Sequence, residues 1–158
     1  MLGGINPNIH KIAIGFTLTG FDELEPNADL TESRIDAMRI IHSLGLRTFA
    51  SIEPLLDLST AEDIINCTLG SCDLYKIGLL SGGKQPIDPK DLFTYIPNIT
   101  NKISNAGAKV YWKKSVIDVL GEDVEFSHPA SVGADYDIFT SNGRWPYNSQ
   151  QPFNPFIP

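Results

Sequence analysis

Four times along this chain an apolar, strand-like run ends in polar residues and gives way to a helix-like stretch: KIAIGFTLT, RTFASIEP, YKIGLLSG and KVYWKKS. Strands separated by helices cannot pair as hairpins and fold as βαβ units around a parallel sheet. Right-handed crossovers through short connections then predict that the four strands pair in the order they occur, all parallel. The expected fold is α/β, about four parallel strands with outer helices, too few to close a barrel.

Parallel α/β folds place their chemistry just outside the carboxyl ends of the strands. Thr17, Thr19, Ser51, Glu53, Lys76, Ser81 and Lys113 fall there. In the first run Ile12, Ile14, Phe16 and Leu18 alternate with Ala13, Gly15, Thr17 and Thr19, giving one bulky face and one small, increasingly polar face. The bulky face is expected to meet helices. If Thr17 and Thr19 face inward, Ser51, Glu53, Lys76, Gly78 and Lys113 point into the same space. Charges in a partly dry interior are costly unless paired, so Glu53 is expected to bond Lys76 or Lys113. Two readings follow: an ion pair that only satisfies itself, or a polar cup for a ligand.

Helix signals divide the rest. Asp29 with Glu32, or Thr31 alone, is placed to cap the first helix, which Gly45 closes; Ser59 and Glu62 form a capping-box pattern for the second, stopped at Gly70. Pro54 is expected to end the second strand. Asp88 and Pro89 open a third helix that Pro97 should kink or divide, and Ser115 should cap a short fourth one. The loop Ser81-Gly82-Gly83-Lys84 has neither the phosphate-loop nor the dinucleotide pattern and reads as a turn. The strand and helix pattern occupies residues 1–121. Residues 122–158 hold five of the 11 prolines among aromatic residues and predict an irregular arm, extended over the sheet or a partner.

The chain has 158 residues, enough for one domain with a substantial core. Twelve basic against 19 acidic residues give a net charge of -7, which repels phosphate backbones and weighs against unaided nucleic-acid binding. No apolar run approaches a membrane span and the first residues lack a signal-peptide core, so a cytoplasmic, non-membrane protein is expected. Cys67 and Cys72 cannot complete a four-thiolate site, and His10, His42 and His128 show no metal-ligand spacing.

The stretch from IGFTLTGFDELEP through ESRIDAMRIIHSLGLRTFASIEPLLD to LYKIGLLSG, followed by VYWKKS, resembles the C-terminal half of radical S-adenosylmethionine enzymes. The similarity covers about residues 10 to 120 and points to the group related to spore photoproduct lyase and its phage-associated relatives. It implies a partial (βα)6-type barrel, S-adenosylmethionine and a [4Fe–4S] cluster, with chemistry run by a 5′-deoxyadenosyl radical. It places Thr17 and Thr19 near the ribose, Arg34 or Glu25 near the amino-acid end of S-adenosylmethionine, and Ser51, Glu53, Lys76 and Lys113 on the open end of the barrel.

The resemblance also implies a departure. The family's three-cysteine cluster motif and the glycine-rich motif after its second strand are absent, and the similarity starts near the fourth strand. A truncated enzyme, a split one completed by a separate N-terminal half-barrel, or a degenerate descendant that binds without redox chemistry are the expected alternatives. In each the first strand's free edge is exposed to that half-barrel or to self-association. From a different class, the same cup or edge would serve a non-catalytic binding or assembly module.

Overall fold

The structure, a computed structural model, describes residues 8, 11–82, 84–121 and 127–140. Strands β1 (Ala13–Thr17), β2 (Arg47–Ile52), β3 (Leu74–Ile77) and β4 (Lys109–Trp112) form one parallel sheet in the order β1-β2-β3-β4, as the sequence predicts. Between them run helices α1 (Thr31–Ser43), α2 (Leu58–Thr68) and α3 (Pro89–Asn105), each packed against its neighbour, and α4 (Lys114–Leu120) follows β4.

The register divides the sheet into two unlike faces, because partnered residues of parallel strands point the same way. Thr48, Ala50 and Ile52 of β2, Tyr75 and Ile77 of β3, and Val110 and Trp112 of β4 face the helices and are buried. On the opposite face Gly15 and Thr17 are exposed, and Phe49, Ser51, Lys76 and Tyr111 are half-buried. That second face is the inner, concave side of a partial barrel.

Local chemistry explains the helix ends, with corrections to four sequence expectations. The first turn of α1 is capped from a distance: Asp22 Oδ1 accepts from the Thr31 N–H (2.8 Å) and hydroxyl (2.6 Å). Neither Asp29 nor Glu32 does this, because a short 3-10 turn at Asp22–Leu24 brings Asp22 to the helix start. Helix α2 is capped by Asp57, which accepts from the Thr60 N–H, while Glu62 pairs instead with Lys102 of α3. Helix α3 begins at the predicted Asp88–Pro89 pair and runs unbroken through Pro97. Pro97 and Phe93 both lie on its exposed side, where water can take the Phe93 carbonyl that proline leaves unbonded. Ser115 does not cap α4; its hydroxyl accepts from the Leu79 N–H and ties α4 to the end of β3.

Pro54 ends β2 as expected, yet the Leu55 N–H still donates to the Gly78 carbonyl at 2.7 Å, so the pairing resumes past it. Gly45 and Gly70 turn the chain after α1 and α2 at φ of 85°, where L side chains are strained. Beyond α4, the described part of the arm lies along the free edge of β4. Val110 N–H donates to the Ala130 carbonyl and Val132 N–H to the Val110 carbonyl, forming a parallel bridge at Ser131. Residues 141–158, with the apolar end FNPFIP, lie outside the described residues.

Candidate functional site

The concave face carries its polar groups at the carboxyl ends of the strands. The register places Thr17, Ser51, Lys76 and Tyr111 in one row across β1 to β4. Glu53 and Lys113 continue the same faces one step beyond the strands and meet there as an ion pair. Of the two partners expected for Glu53, Lys113 is the one it takes. Gly78 lies between them on the floor: a Cβ there would stand 2.8 Å from Glu53 Oε1 and 3.0 Å from Lys113 Cδ. The side chain that β3 lacks is the space through which the pair closes.

Lys76 takes a different partner. Its Nζ lies 4.3 Å from the centre of the Phe49 ring, a cation–π contact. Phe49 in turn lies across Gly15, so closely that a Cβ at residue 15 would meet its ring Cζ at 2.1 Å. Glycine at this position is what lets the ring cross onto β1. Phe49 and Tyr111 were not among the residues the strand ends suggest, although strict alternation through TFASIE and KVYWKK puts both on this face.

Thr19 and Arg34 do other work in the structure. Arg34 donates to the Thr17 carbonyl (2.8 Å) and to Glu25 Oε2 (2.8 Å), and pairs at 3.4 Å with Asp22. The Thr19 hydroxyl donates to the same Glu25 oxygen at 2.9 Å. Together they clamp the loop after β1 onto the start of α1. The Arg34 hydrogen bond outweighs the effect of burial and, with Thr19, holds the Glu25 carboxyl below its ordinary range. Ser81 and Lys84 are exposed in the loop after β3, where Gln85 Nε2 donates to the Leu80 carbonyl; Gly83 lies outside the described residues.

The Glu53–Lys113 pair is less dry than the sequence suggests. The two side chains keep 34% and 27% of their surface exposed, so water screens the attraction. Replacing Glu53 with Ala is expected to lower stability by about 1 kcal/mol, between the values typical of exposed and buried pairs. Denaturant titration checks this, and a loss above about 3 kcal/mol would mean that the pair is sealed from water.

The thiols do not suit a [4Fe–4S] cluster. Cys67 is exposed near the end of α2, whereas Cys72 is buried before β3, and burial pushes its pKa up to about 12. A thiol held so firmly protonated is a poor ligand. Among the described residues no three His, Cys, Asp or Glu side chains gather where they could hold a metal. Nor is any helix among them long and apolar enough to cross a membrane. No protein family, curated protein or solved structure matches the chain.

Proposed function

We propose that this chain forms the C-terminal, substrate-facing side of a radical S-adenosylmethionine enzyme of the group related to spore photoproduct lyase, and that it is inactive alone. The observation that carries the reading is the concave face, over which no described element packs, with Thr17, Ser51, Glu53, Lys76 and Lys113 at the carboxyl ends of four sequentially ordered strands. The β1 edge, with no described strand paired beyond it, supports completion by a half-barrel that brings the three-cysteine motif. S-adenosylmethionine would meet the open face near Thr17 and Ser51, beside the loop that Arg34 and Thr19 hold. Bound with a cluster held by the other half-barrel, it would supply radical chemistry, with Thr17 and Ser51 of this chain holding it against the open face. The residues of this chain orient the two molecules and keep the face shaped for them.

A second reading, a binding module without redox chemistry, uses the same face and edge and needs no cluster ligand from any chain. Thermal unfolding separates the two. Under the first reading S-adenosylmethionine at about 100 times its dissociation constant raises stability by about 2.7 kcal/mol, and other nucleosides raise it less. Indifference to S-adenosylmethionine, with stabilisation by another metabolite, would replace the first reading with the second.

A further inference from the structure

The row Thr17, Ser51, Lys76 and Tyr111 has a property that the ion pair above it lacks. Each of its side chains can donate a hydrogen bond, and none takes a hydrogen-bonding or ion-pair partner among the described residues; the Glu53 carboxylate, two residues past Ser51 on the same face, is engaged by Lys113. Neighbouring strands lie about 4.8 Å apart, so the four donors cross the concave face at regular steps. Lys76 leans from β3 over the Phe49 ring on β2, which carries its ammonium across the sheet toward β1 and β2, beside Thr17 and Ser51 of the row, and away from Tyr111 on β4.

The charge balance of the face agrees. Glu53 cancels Lys113, while the Phe49 ring steadies the Lys76 ammonium and leaves its charge uncompensated. Among the described residues, Lys76 and Lys109 on this face form no ion pair, so positive charge is in excess there in a chain whose total is -7. A partly shielded ammonium among unengaged hydroxyls is built to receive an acceptor-rich anion. The overall negative charge limits that anion to a small molecule, since a polyanion would be repelled by the rest of the surface.

We propose that this row holds an oxyanion site on its β1–β3 side: Lys76, with the hydroxyls of Thr17 and Ser51, holds a phosphate or carboxylate group of the substrate. Phe49 fixes the height of the ammonium, and Gly15 gives the ring its place. The inference rests on the concave face being a ligand site and deepens that reading by naming the group the substrate must carry.

The test is a pair of NMR titrations of the full chain at low ionic strength, one with inorganic phosphate and one with acetate, followed at the backbone amides of Thr17, Ser51 and Lys76. Saturable shifts at these amides are expected, and the tighter of the two anions identifies which oxyanion the site prefers. Lys76→Gln should weaken binding by about tenfold or more, Lys76→Arg should keep it within about threefold, and Lys90→Gln on the exposed face of α3 should change nothing. No saturable shift with either anion, or equal binding by Lys76→Gln, would overturn the site. A separate titration with S-adenosylmethionine reads the radical-enzyme proposal. Anion binding without a response to S-adenosylmethionine keeps the oxyanion site and removes that proposal; the reverse pattern keeps the proposal and removes the site.

Discussion

Replacing Asp73 with Ala is expected to lower stability by about 3 kcal/mol, a larger loss than any removal of charge on the concave face. Asp73 precedes β3 at the amino end of the sheet, with its side chain 15% exposed. Its two oxygens accept from Arg47 Nη1 and from the Thr48 N–H, both at 2.9 Å, and His42 Nε2 stands 3.7 Å away. Without the carboxylate, a guanidinium that is only 10% exposed loses this counterion, and a backbone N–H of β2 loses its acceptor. Asp73→Asn keeps an acceptor but not the charge, so an intermediate loss is expected. Chemical denaturation of the three proteins gives the ranking; equal stability for all three would show that water fills the role of the carboxylate.

The same group gives stability a pH dependence with a defined sign. Burial raises the Asp73 pKa, but the neighbouring His42, the Thr48 N–H and Arg47 lower it by more, so the folded value lies below the ordinary 3.8. A depressed carboxyl contributes fully above its unfolded pKa and loses that contribution as pH falls through the folded one. The wild-type protein should therefore lose part of its margin over Asp73→Ala only below about pH 4. A margin that stays constant as pH falls through about 4 would show that the Asp73 carboxyl is not the titrating group.

How much of this was legible in the sequence depends on the range of each interaction. The sheet order was legible because alternating strand and helix patterns leave few ways to connect parallel strands. The convergence of Ser51, Glu53, Lys76 and Lys113 was legible because a strand's side chains alternate with a fixed period of two. The cap of α1 was not, since Asp22 reaches Thr31 across nine residues through a 3-10 turn that no local pattern announces. Pro97 misled because the cost of proline in a helix depends on whether the freed carbonyl meets water, which is a property of the packed surface. Thr19 reads as strand-end chemistry, and the resemblance puts Arg34 or Glu25 near the amino-acid end of S-adenosylmethionine. The binding of Thr19 and Arg34 to Glu25 depends on how the loop after β1 folds back, which spacing alone does not carry.

The last prediction compares two aromatic residues on the helix-facing side of opposite edge strands. Trp112 of β4 is 3% exposed, meets Tyr95 edge-on at 6.5 Å between ring centres, and donates from Nε1 to the Thr100 hydroxyl. Truncation to Ala removes that packing, strands a buried hydroxyl and leaves a cavity; a loss of about 3 to 5 kcal/mol is expected. Phe16 of β1 stands on the same side of the sheet but is only partly buried against the core, and Ile12 nearby is 40% exposed. Its truncation to Ala should cost about 1 to 2 kcal/mol, because part of the ring already meets water. The asymmetry has a structural cause: the 130–132 segment covers the outer edge of β4, whereas no described strand pairs beyond β1. Equal losses for the two variants would mean that the β1 flank is already a finished surface. If a further half-barrel packs along β1, its presence should raise the cost of Phe16→Ala toward that of Trp112→Ala and leave the latter unchanged, since only the first ring lies on the flank to be covered.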